Sequence, residues 1–180
     1  MRFETTDIAG VVVVQLEPRS DARGSFARAF SREEFEAHGL TSHVEQANIS
    51  SSSHAGTVRG LHYQLPPAGE MKLVRCVRGA LYDVALDLRR GSPSFGRWFG
   101  VELTEENGRA LAIPEGCAHG FQTLADGTTA LYQVSAAYNP ELERGINHAD
   151  PALKIRWPLE VTSLSERDRS LPAFADAELP

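Results

Sequence analysis

Short runs of strand-forming residues, cut apart by turn signals at regular intervals, leave this chain little choice but antiparallel β-structure. The clearest run is Ala80 to Leu88. Tyr82, Val84, Leu86 and Leu88 fall on one face and Leu81, Asp83, Ala85 and Asp87 on the other, the period of two that a strand imposes. Gly10-Val11-Val12-Val13-Val14-Gln15-Leu16 is β-branched through its middle and stops at Pro18, as a buried strand does. Further strands are predicted over Glu45–Ser51, Val58–Gln64, Lys72–Val77, Trp98–Leu103, Ala110–Ile113, His119–Leu124 and Thr129–Ala136. Between them lie Arg78-Gly79, Gly91-Ser92-Pro93, Glu106-Asn107-Gly108, Pro114-Glu115-Gly116 and Asp126-Gly127, all turn-forming groups.

Helical signals are few. Ser31-Arg32-Glu33-Glu34 reads as a capping box, with Ser31 accepting from the backbone of Glu34 while the Glu34 carboxylate reaches back. Gly39 supplies the stop, so a short helix is predicted near 32–38. A second helical turn is expected after Ser165, in an otherwise irregular C-terminal stretch. Many short strands with one early helix predict an all-β fold, an antiparallel sandwich or small barrel, whose mouth is where a ligand pocket belongs. With 180 residues and no interior linker or repeat, one domain spanning 1–180 is expected.

Composition narrows the function classes. Hydrophobic residues are 42% and charged residues 23%, values of a globular rather than a disordered chain. There are 18 Lys and Arg against 24 Asp and Glu, a net charge of −6. That balance argues against a nucleic-acid partner, because phosphate backbones reward basic surfaces; it still admits a small anion held in a locally basic pocket. Cys76 and Cys117 are too few for a disulfide scaffold and read as two buried, reduced thiols. Met1 to Asp7 lacks the basic-then-apolar order of a signal peptide, and Val11–Val14 is too short to span a membrane. A cytoplasmic protein without a membrane partner is expected.

Reactive side chains gather in two segments. The first is Arg59-Gly60-Leu61-His62-Tyr63-Gln64, followed by Glu70-Met71-Lys72-Leu73-Val74. On a regular strand His62 and Gln64 share a face with Val58 and Gly60, and Arg59 points the other way. His62 fits either of two roles: an imidazole satisfied by a backbone carbonyl, or a general base tuned by partial burial and a carboxylate. The second segment, Ile113 to Phe121, contains Pro114-x-Gly116-x-x-His119, half of what metal-binding cupins use. A metal needs three or four ligands, and the companion motif would need two histidines one residue apart, whereas His62 is followed by Gln64; no metal is expected. Tyr132 and Tyr138 fit packing roles with a hydroxyl at the surface. Arg23 and Arg28 flank Gly24-Ser25-Phe26 and fit a solvated charged face, and Asp168, between Arg167 and Arg169, fits surface ion pairing.

The order of these segments along the chain changes that picture. Asp21-x-Arg23-Gly24-x-Phe26, Gln46-x-Asn48-x-Ser50, Arg59 to Gln64, Lys72-Leu73-Val74, Asp83 to Asp87, Gly91 to Gly96 and Ile113 to Phe121 follow one another. Tyr132, Tyr138-x-Pro140, Glu143-x-Gly145-Ile146, Asp150-Pro151, Trp157-Pro158 and Ser165-x-Arg167-Asp168 close the series. Together they resemble the dTDP-4-dehydrorhamnose 3,5-epimerase family, in unbroken order from Asp21 to Asp168. The resemblance implies a cupin-like jelly roll, a homodimer, and an enzyme of deoxysugar biosynthesis acting on a nucleotide-linked 4-keto-6-deoxyhexose. No metal or redox cofactor is expected, because the substrate carbonyl is itself the electron sink. By resemblance His62 is the base, Tyr132 the acid that returns the proton, Asp168 the carboxylate paired with the histidine, and Lys72 the cation facing the oxyanion. Arg23, Arg59 and His119 match positions holding the diphosphate and sugar, Gln46 and Asn48 the nucleotide, and Tyr138 a ring stacked on the base. Glu143, Arg28 and Arg167 complete the expected binding set. Arg28 stands where many members carry Glu, Ala47 where an acidic residue is common, and His148 where Trp is frequent. Two other readings are a mono-epimerase acting at carbon 3 or carbon 5 alone, and a non-catalytic or metal-dependent cupin that only binds sugar or metal.

Overall fold

The computed structural model describes residues 1–180. In chain order its elements are β1 (Arg2–Thr5), β2 (Val12–Gln15), β3 (Arg19–Asp21), β4 (Gly24–Phe26), α1 (Arg32–Ala37), β5 (Gln46–Ser52), β6 (Val58–Gln64) and β7 (Lys72–Arg78). There follow β8 (Ala80–Asp87), β9 (Trp98–Thr104), β10 (Arg109–Ile113), β11 (Cys117–Thr123), β12 (Thr128–Val134), β13 (Glu143–Gly145) and α2 (Glu166–Arg169). Every predicted strand forms, within two residues of its expected bounds. Strands β1, β3, β4 and β13 are additional and three or four residues long; the first three are largely solvent-facing and β13 is Glu-Arg-Gly, so no apolar alternation announces them.

Two antiparallel sheets face one another. One has the order β1-β2-β10-β7-β12-β5, the other β13-β6-β11-β8-β9, and β3 pairs with β4 in a separate hairpin. The neighbours are mostly distant in sequence, the crossing pattern of the expected cupin-like jelly roll. Alternation decides which side chains fill which layer. Leu81 and Ala85 of β8 meet Val13, Val74, Leu111 and Phe121 between the sheets. Val84, Leu86 and Leu88 lie on the outer face with Leu61 and Ile146, where Trp157, Phe174 and Leu179 of the C-terminal stretch cover them.

On the outside of the first sheet, α1 seats Phe35, fully buried, among Val12, Val14, Leu73 and Ala112. Burying that one ring contributes about 1.5–3 kcal/mol. The capping box at the start of this helix is only half formed. Ser31 Oγ accepts from the Glu34 N–H at 3.5 Å, but the Glu34 carboxylate turns to the amino terminus, 2.8 Å away, with Arg28 at 3.6 Å. A charged ammonium outcompetes a neutral backbone N–H for that carboxylate. Cys76 and Cys117 are free and buried, and burial pushes their thiols up to about 11 and about 12. No helix is long and apolar enough to cross a membrane.

Candidate active site

A bulge in β6 aims the site. His119 of β11 lies opposite His62, yet Phe121 lies opposite Arg59, so three steps along β6 match two along β11. The extra residue is accommodated at Gly60-Leu61, against Gly120. Gly60 has φ of +116°, and a Cβ there would lie 2.6 Å from Gly120 Cα and 2.7 Å from the His119 carbonyl oxygen; no larger residue fits. The bulge interrupts strict alternation, and Arg59 and His62 both border the same cavity. This corrects the expectation that Arg59 points away from it.

Asp168 meets His62 from the C-terminal stretch. Ser165 caps α2 by accepting the Asp168 N–H at 3.0 Å, which fixes the turn carrying the carboxylate. Asp168 Oδ1 accepts from His62 Nε2 at 2.7 Å and Oδ2 from the Gly60 N–H at 3.3 Å. The residue is 4% exposed, so surface ion pairing is not its role; Arg167 turns to Glu143 and Arg169 to Glu166 instead. Burial pushes the Asp168 carboxyl up, but the bond and charge of His62 and the Gly60 N–H outweigh it and hold it below its ordinary value. An ionised carboxylate accepts from Nε2–H, so the neutral form of His62 has its lone pair on Nδ1.

The facing wall comes from the other sheet. Lys72 of β7 pairs in register with Val134, and Tyr132 of β12 with Val74, which places Lys72 and Tyr132 side by side on the inner face. Lys72 is buried, with Nζ 3.1 Å from a Glu70 carboxylate oxygen and donating to the His62 carbonyl at 3.3 Å. Burial pushes the Tyr132 phenol up, helped by Glu70 and Glu143 and opposed by Arg59. Next to His62, His119 Nε2 is bonded to Asp83 Oδ1 at 2.7 Å. Asp83 is wholly buried and its Oδ2 has no partner; burial pushes its carboxyl up against the pull of His119 and Lys72.

The cavity between these walls measures about 720 Å³ and runs out to an open end. There Tyr138 is half exposed yet held at two points, its hydroxyl donating to Glu143 at 2.6 Å and its N–H to Gln46 Oε1 at 3.2 Å. Glu143 also takes the Arg167 guanidinium. Burial raises the Glu143 carboxyl, and the Tyr138 and Arg167 hydrogen bonds overcome this to hold it low. Gln46 and Asn48 of edge strand β5 complete this end. Tyr138 thus offers a braced aromatic face flanked by hydrogen-bonding groups.

All the sequence-predicted site residues border this cavity except Arg23 and Arg28. Arg23 sits on the β3–β4 hairpin, its side chain 90% exposed and paired with Asp21 at 2.6 Å; Arg28 lies beside Glu34. Glu70, in the first reactive segment, and Ser165, in the last motif, also border the cavity, though the sequence reading gave neither a role there. A signal for Glu70 existed, since residues two apart on an extended segment point the same way and Lys72 follows at that interval. No three His, Cys, Asp or Glu side chains are grouped to hold a metal ion; each cavity histidine is bonded to its own aspartate.

Known proteins match this chain in sequence and fold over its full length. The family model for dTDP-4-dehydrorhamnose 3,5-epimerase matches residues 5–176. A Sinorhizobium fredii dTDP-4-dehydrorhamnose 3,5-epimerase is 45% identical over 181 residues, covering 100% of this chain and 92% of its own. A Streptomyces niveus dTDP-4-dehydrorhamnose 3-epimerase is 41% identical over 178 residues, covering 98% of this chain and 86% of its own. The crystal structure of a Legionella pneumophila 3,5-epimerase, in complex with dTDP-4-keto-L-rhamnose, superposes with a TM-score of 0.93 at 36% identity, covering 99% of this chain and 97% of that one. Agreement of sequence and fold over the whole chain, at identities well above the level where fold alone is shared, makes this chain a member of the dTDP-4-dehydrorhamnose 3,5-epimerase family.

Proposed function

We propose that this chain is an isomerase that inverts carbons 3 and 5 of a dTDP-linked 4-keto-6-deoxyhexose, in deoxysugar biosynthesis. His62 and Tyr132 rise from opposite sheets into one cavity, and that opposition carries the proposal. The hydrogens on carbons 3 and 5 are acidified by the adjacent carbonyl. Inversion needs a base on one face of the sugar and a proton donor on the other. His62 Nδ1 is the base, oriented by Asp168 through the 2.7 Å bond to Nε2. The lost bond leaves its electron pair in an enolate, whose oxyanion the Lys72 ammonium stabilises from a largely water-free wall. Tyr132 then delivers its proton to the opposite face of the carbon. The burial that raises its phenol keeps it protonated until that step.

The rest of the cavity suits the nucleotide. Arg59 and His119 are placed for the diphosphate and sugar, where a guanidinium matches phosphate geometry. Tyr138 would stack on the base, with Gln46, Asn48, Glu143 and Arg167 around it. Arg23 and Arg28 lie outside the cavity of their own chain, so they serve substrate only if a second copy brings its hairpin to this open end. We therefore propose a homodimer of single-domain subunits. Two free buried thiols fit a cytoplasmic location.

Incubation with dTDP-4-keto-6-deoxyglucose in deuterium oxide, followed by NMR, tests the activity. Deuterium is expected at both carbon 3 and carbon 5, and none at either would overturn the proposal. Exchange at one carbon alone would select a mono-epimerase, the reading favoured by the likeness to a 3-epimerase.

A further inference from the structure

Glu70 has no part in the roles assigned above, yet it borders the cavity and its side chain is 11% exposed. Its Oε1 lies 3.1 Å from Lys72 Nζ, whose own side chain is 10% exposed. Lys72 Nζ also donates to the His62 carbonyl at 3.3 Å. An ammonium has three N–H donors; one is held by the His62 carbonyl while Glu70 pairs with the charge, which leaves donors for the cavity. Lysine carries its charge as a point on a flexible stem. Burying such a charge is costly without a paired, hydrogen-bonded partner.

We propose, resting on the epimerase reading, that Glu70 is a positioning residue whose carboxylate fixes the Lys72 ammonium where the enolate oxygen forms. A charge already in place need not reorganise as the oxyanion develops, which is the condition under which electrostatic stabilisation is strongest. Glu70 also faces Tyr132, together with Glu143 of β13 and Arg59 of β6. Glu70 and Glu143 both oppose loss of the phenolic proton, and Arg59 favours it. One carboxylate therefore serves the cation and the acid of the same wall.

A double-mutant cycle tests the coupling: Glu70→Ala, Lys72→Met and the double variant are compared with wild type on dTDP-4-keto-6-deoxyglucose. Glu70→Ala is expected to lower kcat by about 10- to 100-fold, the scale of a misplaced catalytic group, with KM within about threefold. In the Lys72→Met background the same change is expected to cost no more than about twofold. Glu70→Gln keeps an oxygen that can accept from Lys72 and is expected to recover most of the lost kcat. Glu70→Met, close in length but without a carboxylate, takes the place of the alanine variant in the cycle if that variant does not fold. Calorimetric binding of dTDP is expected to stay within about threefold in every Glu70 variant, whereas a merely structural role would weaken it together with kcat. Equal losses from the Glu70 change in both backgrounds, or wild-type kcat in both Glu70 variants, would overturn the role while leaving the epimerase reading intact. An inactive wild-type protein would overturn both.

Discussion

At the scale of single residues, the site depends on which nitrogen of His62 holds the proton. Asp168 fixes that choice through a 2.7 Å bond. Asp168→Asn can offer its amide N–H as well as its oxygen, so it no longer enforces one tautomer. It is expected to lower kcat by about 100-fold or more, while dTDP binding, measured by calorimetry, stays near wild type. The cysteines set a contrasting expectation. Burial raises Cys76 to about 11 and Cys117 to about 12, leaving almost no thiolate at pH 8. Both should resist a disulfide thiol reagent in the folded protein and react together on addition of denaturant. Rapid labelling of either in the native state would contradict their place in the core.

Among elements, the β6 bulge is the feature on which the site turns. Gly60→Ala puts a Cβ against the β11 backbone at a positive φ, a cost of about 1–3 kcal/mol. Chemical denaturation should show that loss, and activity should fall by more than stability alone explains, because Arg59 and His62 are re-aimed together. Ser165→Ala should cost about 1 kcal/mol and reach kcat through Asp168. What was legible in the sequence follows the same physics. The strand Ala80–Asp87 reads directly from its residues, since both its faces are buried and six of its eight side chains are apolar or aromatic, Asp83 and Asp87 being the exceptions. The facing of Arg59 does not, because a single extra residue reverses alternation and is defined only by the partner strand. β1 pairs along the sheet edge with Phe3 as its one apolar side chain packed on the core, too little to announce a strand. Glu34 was expected to close its own helix cap, but a group 33 residues away in sequence, the amino terminus, takes it. The residues proposed for catalysis were named through the family's motifs, and one cavity gathers them; Glu70 lay outside those motifs. Arg23 was named by the motifs too, but one chain does not bring it to the cavity.

The whole molecule carries a net charge of −6, but that number describes its outside; Arg59, Lys72 and Arg167 gather in the cavity, Lys72 and Arg167 paired with Glu70 and Glu143 and Arg59 held by Ser51 and Ser52. Stability toward acid follows from buried carboxylates. Burial alone would raise Asp87, but hydrogen bonds from Arg89, Ser92 and Ser94 bring it down to about 2. Its folded-state value is thus depressed below the unfolded value of about 4. The stabilisation, roughly 2 kcal/mol, is complete above pH 4 and lost as pH falls toward 2. Asp168, shifted in the same direction, adds to the loss. Urea denaturation should show stability falling across that window, and Asp87→Asn should flatten the fall; an unchanged slope would contradict the assignment.

The central claim is that base and acid stand on opposite faces of the sugar. It is tested most directly by following deuterium uptake and configuration together in Tyr132→Phe. His62 can still remove the proton and return deuterium from the same face. The expected result is exchange at the reacting carbons with retention of configuration, while His62→Asn shows neither exchange nor inversion. Undiminished inversion by Tyr132→Phe, or exchange surviving in His62→Asn, would contradict the two-wall mechanism.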